Sequence, residues 1–159
     1  MREDNMGLVV TVKEKGLTEV DLFISGISKN MVDLTVPMKQ AAILMMGSIQ
    51  KNFDTSGRPT PWIPLAASTL KQKIRKGYSS RPLIRSGGLR QSIASQSGKM
   101  SMSLGTSIIY GRIHEYGGLA GRNKSAKIPP RPYLLFQRQD LERIRDLIIN
   151  HLTLGKNNA

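Results

Sequence analysis

The side chains able to do chemistry are few in this chain and poorly spaced for it. There is no cysteine among its 159 residues, which excludes thiolate nucleophiles, thiolate metal sites and disulfides. The two histidines, His114 and His151, stand far apart. A zinc hydrolase sequence needs a second histidine four residues after the first, and His114-Glu115 lacks it. No metal site is expected. His151 falls near the end of an expected helix, where a partly charged imidazole suits the negative pole of the helix dipole. Residues 118–125, GLAGRNKS, look briefly like a phosphate loop. That loop needs glycine directly before its lysine so that the backbone can approach phosphate, and Asn123 stands there. Serines are abundant, but none lies in a Gly-x-Ser-x-Gly elbow. General acid–base catalysis needs two positioned groups, and Glu115 is the single carboxylate between residues 57 and 131. The chain is expected to be no enzyme and to use no cofactor.

The remaining chemistry is charge. The formal net charge is +13. Residues 1–56 carry 6 basic and 7 acidic side chains, and residues 132–159 carry 4 and 3. Residues 57–131 carry 14 and 1, so this segment holds the excess. With Trp62, Tyr78, Tyr110 and Tyr116 interleaved, it can present a nucleic-acid surface, through counterion release and stacking. No zinc-finger spacing, RNP signature or helix-turn-helix accompanies it. The other reading is a basic loop system facing solvent or a protein partner. No stretch is long and apolar enough to span a membrane, and the N-terminus has no secretory pattern.

These side chains must be positioned by a modest set of elements. Residues 7–13 and 18–25 alternate and read as an antiparallel hairpin. Residues 28–53 read as a long helix, with Leu34, Met38, Ala41, Met45, Ile49 and Phe53 forming one stripe. Ser28 or Asn30 can cap it, and Pro37 either starts the regular helix or kinks it. Met31, Met38, Met45 and Met46 read as core filling rather than a partner groove. Pro59, Pro61 and Pro64 make 54–65 a stiff extended loop. A short helix is expected over 66–76, and a turn then a helix over 83–95 with Leu89 and Ile93 inward. Residues 99–105 alternate as a strand. Residues 107–116 read as a helix with Ile109, Ile113 and Tyr116 on one side, and 117–132 as loop. A last strand is expected at 133–136 and an amphipathic helix at 138–152, on Leu141, Ile144, Ile148 and Leu152. The expected architecture is α+β. A small antiparallel sheet from 7–13, 18–25, 99–105 and 132–136 is packed by the long N-terminal-half helix and the C-terminal helix, with extended basic loops. One domain is expected over 1–153, with 154–159 a frayed tail.

Four blocks in the middle of the chain are more specific: NFDTSGRPTPWIPLAASTLKQK, RPLIRSGGLRQSI, LGTSIIYGRIHEYGG and KIPPRPYLLF. In order and spacing they resemble the phage virion morphogenesis family, which includes tail completion proteins of Mu- and P2-like tailed phages. The resemblance covers roughly 53–152. Phe53, Pro61, Leu65, Ser86, Leu89, Ile93, Tyr110, His114, Gly117 and Pro132 are the structural positions it marks. Two departures are conservative: Gly111 stands where alanine is usual, and Tyr133 where phenylalanine is usual.

The resemblance implies a structural virion protein that completes the tail or forms the head–tail joint at the neck. It also implies a homo-oligomeric ring, six-fold by analogy with relatives, with neighbouring neck or tail proteins as partners, assembled in the host cytoplasm. DNA in the channel is a further candidate partner, and a membrane is not. A ring needs heterologous contacts between copies, and the loops at 54–65, 76–82 and 117–131 are the expected arms. Arg58, Trp62, Lys73, Lys76, Tyr78, Arg81, Arg85, Arg122, Lys124, Lys127 and Arg131 are the candidate interface residues. For Trp62 the edge of the chain's own core is the favoured destination. Arg131 is expected to meet a carboxylate, across a subunit contact or within the chain. Ser86-Gly87-Gly88 is expected to turn sharply and cap a helix, and His114 to be a hydrogen-bonded structural residue.

Overall fold

The long apolar stripe determines the centre of the molecule. The structure, a computed structural model, describes residues 8–10 and 33–154. Helix α1 runs Thr35–Asp54 and buries Leu34, Met38, Ala41, Met45, Ile49 and Phe53. Pro37 sits in its first turn, where a missing N–H has no helical partner to lose. Asp33 Oδ1 accepts the N–H of Thr35 at 2.9 Å. Ser28 and Asn30, the expected caps, lie outside the described residues with Met31. Met38 and Met45 are core residues and Met46 packs against them.

The stripe meets a small sheet on one side and the last helix on the other. Strands β1 (Leu8–Val10), β2 (Ala94–Ser97) and β3 (Met102–Thr106) form an antiparallel sheet in the order β1-β3-β2. Leu8 pairs with Thr106, and Ala94 with Gly105. Helix α5 (Arg138–Leu154) lays Ile144, Ile148 and Leu152 on α1. Leu141 departs from that stripe and is exposed. Each large apolar side chain removed from water here contributes about 1.5–3 kcal/mol. The architecture is α+β, as expected.

Between sheet and last helix the chain is short-stepped. Helix α2 spans Ala67–Arg75, α3 Gly88–Gln91 and α4 Gly111–Tyr116. Strands β4 (Gly118–Ala120) and β5 (Ala126–Ile128) pair as a hairpin around a 3-10 turn at Arg122–Lys124.

Four sequence expectations need correction. The helix expected over 83–95 is a single turn, and 94–97 is instead a strand. All four β2 side chains are exposed at the sheet edge, so no burial alternation marks them. The segment 117–132 is a hairpin rather than a loop. The expected helix over 107–116 begins only at Gly111; Ile109 precedes it and is 90% exposed, and Tyr116 is exposed too. Residues 133–136 are no strand, because side chains satisfy their backbone. Glu115 Oε2 accepts the N–H groups of Tyr133 and Leu134 at 2.8 and 3.2 Å. Asn52 Nδ2 donates to the carbonyls of Tyr133 and Leu135 at 3.0 and 2.9 Å. The expected strand at 18–25 and the tail from 155 lie outside the described residues.

Candidate assembly surface

The motif residues divide into an inner scaffold and an outer surface. The inner scaffold is aromatic at its centre. Phe53 at the end of α1 meets Trp62 edge-on at 5.8 Å and Tyr133 at 5.4 Å between ring centroids. Trp62 is 6% exposed and donates its indole N–H to Pro132 O at 3.0 Å. The tight reversal that aims it there needs Gly57: its φ is +111°, and a Cβ would lie 2.7 Å from Trp62 N.

Polar groups then tie the loops to this centre. Arg58 donates to Ser48 O and Oγ at 2.6 and 2.7 Å, and to Asn52 Oδ1 at 2.9 Å. Ser48 Oγ in turn donates to the buried Asp140 carboxylate, which also accepts the Gln137 N–H at 3.0 Å. Ser48 therefore bridges a cation and an anion, linking α1, the loop after it and α5. Arg131 is 5% exposed and donates to Ile63 O and Pro64 O at 2.9 and 3.1 Å. Its partners are carbonyls of the same chain, and no carboxylate is among them. Arg58, Trp62 and Arg131, expected at an interface, are engaged inside the protomer.

The electrostatics of this inner layer follow from burial. Burial pushes the Glu115 carboxyl above its ordinary value, against the two N–H groups that favour its charged form. Burial and the Arg131 charge lower the His114 imidazole, so the ring is neutral at neutral pH. His114 is hydrogen-bonded through its carbonyl, which accepts the Arg131 N–H at 2.8 Å. Its buried Nδ1 has no partner among the described residues. Tyr110 packs edge-on to it at 6.0 Å. Gly87, with φ +86°, precedes α3 and no side chain caps that helix, so Ser86 has no capping role. Leu89 and Ile93 are buried as expected. Pro61 is exposed, Leu65 half-buried, and Gly117 ends α4 at φ +74°.

The outer surface carries the rest of the charge. Arg122, Lys124 and Lys127 are exposed on the β4–β5 hairpin. Arg81 lies 4.0 Å and Arg90 3.0 Å from Asp54. Lys73 donates to Arg81 O and Ile84 O at 2.6 and 2.7 Å, which folds the 76–85 loop over α2. The Arg85 guanidinium sits 4.8 Å over the Tyr78 ring. Lys73, Lys76, Tyr78 and Arg85 thus come together around a groove of about 620 Å³ whose wall includes Leu83, Ile84, Leu89 and Tyr110. The sequence reading missed Ser48, Asn52 and Asp140, which carry no motif of their own. It missed Ile109 as a surface residue because the helical period placed it on the inner face.

Among the described residues no cluster of three or more His, Asp or Glu side chains is placed to hold a metal ion. No described helix is long and apolar enough to cross a membrane. A model of the phage virion morphogenesis family matches residues 16–153, and the chain belongs to that family. It is 36% identical over 113 residues to the Mu-like prophage FluMu G protein 2 of Haemophilus influenzae, covering 69% of this chain and 74% of that protein. No solved structure matches it significantly. The family gives the chain a role in virion morphogenesis.

Proposed function

We propose that this chain is a structural component of a tailed-phage or prophage virion. It completes the tail or forms the head–tail joint at the neck, as a homo-oligomeric ring in contact with neighbouring neck or tail proteins. It assembles in the host cytoplasm and stays in the particle, without a catalytic role. Beside the family membership, the observation that carries this reading is the apolar exterior of one protomer. Ile109, Tyr110, Tyr116 and Leu119 are all exposed on and around α4 and β4. Side chains of this size, close in the chain, are better accounted for by a contact than by solvent. Mass spectrometry of purified particles tests the proposal. Stoichiometric presence of the chain, in multiples of a ring, is the expected result, and its absence from particles overturns the reading.

A second reading rests on the 14 basic residues over 57–131. These would contact packaged DNA. It expects binding by the isolated protein that weakens steeply and linearly in log–log form with salt. A flat salt response removes it.

A further inference from the structure

The groove beside α2 has a composition that neither solvent nor the protomer explains. Lys73, Lys76 and Arg85 ring it, Leu83, Ile84 and Leu89 form apolar parts of its wall, and no carboxylate lines it. Lys76 and Arg85 take part in none of the ion pairs among the described residues. Arg131 adds a further positive charge close to Lys73 from behind the wall. The groove is shaped by contacts inside the chain: Lys73 fastens the 76–85 loop, and the Arg85 guanidinium lies over Tyr78. Three cations therefore line one groove with no carboxylate beside them among the described residues, next to apolar wall residues.

We infer that this groove docks an extended acidic polypeptide segment of a neighbouring virion protein. The inference rests on the structural reading proposed above and names the partner chemistry of that surface. Carboxylates of the segment meet Lys76 and the Arg85 guanidinium, which sits over the Tyr78 ring. An apolar side chain of the segment covers the half-buried Leu83 and Ile84. The described surface of the chain itself does not supply such a segment. Glu115 and Asp140 are buried, the lone Asp33 accepts the Thr35 N–H at the start of α1, Asp54 is shared by two arginines, and Glu142 and Asp146 are paired on α5.

Protein is favoured over nucleic acid by three observations. Leu83 and Ile84 give part of the wall an apolar surface, on which a sugar–phosphate chain has little to place. One face of Tyr78, the ring a base would stack on, is already occupied by Arg85. At the lip, Tyr110 is half exposed and its neighbour Ile109 is 90% exposed. An apolar rim contributes to a protein contact and little to phosphate binding.

The test uses the full chain and fluorescence anisotropy. The probes are a labelled peptide of alternating Glu and Leu, the same peptide with Lys for Glu, and labelled oligo-dT and duplex DNA. Two double variants, K76E/R85E in the groove and R122E/K127E on the distant hairpin, are compared after circular dichroism shows native folds. The acidic peptide is expected to bind saturably. K76E/R85E is expected to weaken it by about tenfold or more, with R122E/K127E within about twofold. Absence of acidic-peptide binding, or equal loss in both variants, overturns the inference. So does tighter binding of either DNA probe that the groove variant abolishes. A chain present in particles whose groove ignores the peptide refutes the groove alone. A chain absent from particles refutes the structural reading whatever the peptide does.

Discussion

Glu115 shows how one buried side chain replaces a strand. Its carboxylate accepts two successive backbone N–H groups, at Tyr133 and Leu134, that would otherwise need a neighbouring strand. Burial raises its folded pKa above the ordinary 4.5. The unfolded chain therefore loses its proton first, at lower pH. The contribution of this group to stability is fully present below about pH 4.5 and is lost as pH rises through the folded value. Glu115→Gln keeps an acceptor and removes the charge. Its stability relative to the parent in urea unfolding is expected to rise between about pH 4.5 and neutrality. Glu115→Ala strands both N–H groups and is expected to cost about 2–4 kcal/mol near pH 4.5, the cost falling as pH rises and the parent loses stability. A parent-minus-Gln difference that stays constant with pH refutes the account. A second residue-scale test concerns the two positions where the sequence departs from its family pattern. A Cβ at Gly111 would lie 2.8 Å from Tyr133 Oη and 2.7 Å from Thr106 Cγ2. The hydroxyl thus fills part of the space an alanine methyl would take, and it has no hydrogen-bond partner among the described residues. Gly111→Ala is expected to destabilise the parent by about 1–3 kcal/mol and to be milder in Tyr133→Phe, with a coupling of about 1 kcal/mol in a double-mutant cycle. Additive effects would sever the two positions.

At the scale of elements, the two long helices were legible and the shorter helices and strands were less so. The α1 stripe has the period of a helix, and six residues named from that period are buried. The α5 pattern is equally plain at Ile144, Ile148 and Leu152. Strand β2 is polar on both faces, and its pairing with β3 makes it a strand. The segment YLLF has a strand's composition, yet Glu115 and Asn52 claim its backbone. Elements are also joined by polar bridges that leave no periodic trace. The Arg58–Ser48–Asp140 relay couples α1, the proline loop and α5. Asp140→Ala removes the anion and leaves Ser48 and Arg58 uncompensated, at an expected cost of about 3–5 kcal/mol. Asp140→Asn retains an acceptor and is expected to cost less than half of that. Chemical denaturation measures both. Equal costs for the two substitutions would remove the charge from the explanation.

For the whole molecule, the question is what the exterior is for. A chain with +13 net charge repels its own copies, so self-association needs apolar contact to offset that repulsion. Ile109 is the most exposed large apolar side chain described. Ile109→Asp is expected to leave thermal stability within about 0.5 kcal/mol while reducing ring formation in sedimentation or native mass spectrometry. Unchanged assembly would move the copy–copy contact elsewhere. The basic side chains then divide by location. Arg58 and Arg131 serve the interior, Lys73 fastens a loop, and Lys76, Arg85, Arg122, Lys124 and Lys127 face outward.

The residue string by itself determined the α+β class, the two long helices, the inward destination of Trp62 and the family. Each depends on local periodicity, proline stiffness or motif order, all of which are properties of neighbours along the chain. Only the tertiary structure decided which cations are free. Arg58, Arg131, Arg85 and Lys76 are alike in sequence, close to proline or glycine in a basic segment. Two meet carbonyls and hydroxyls brought from distant elements, and two are left facing a groove without a carboxylate. Charge is written in composition, but the groups that compensate it are gathered only by folding.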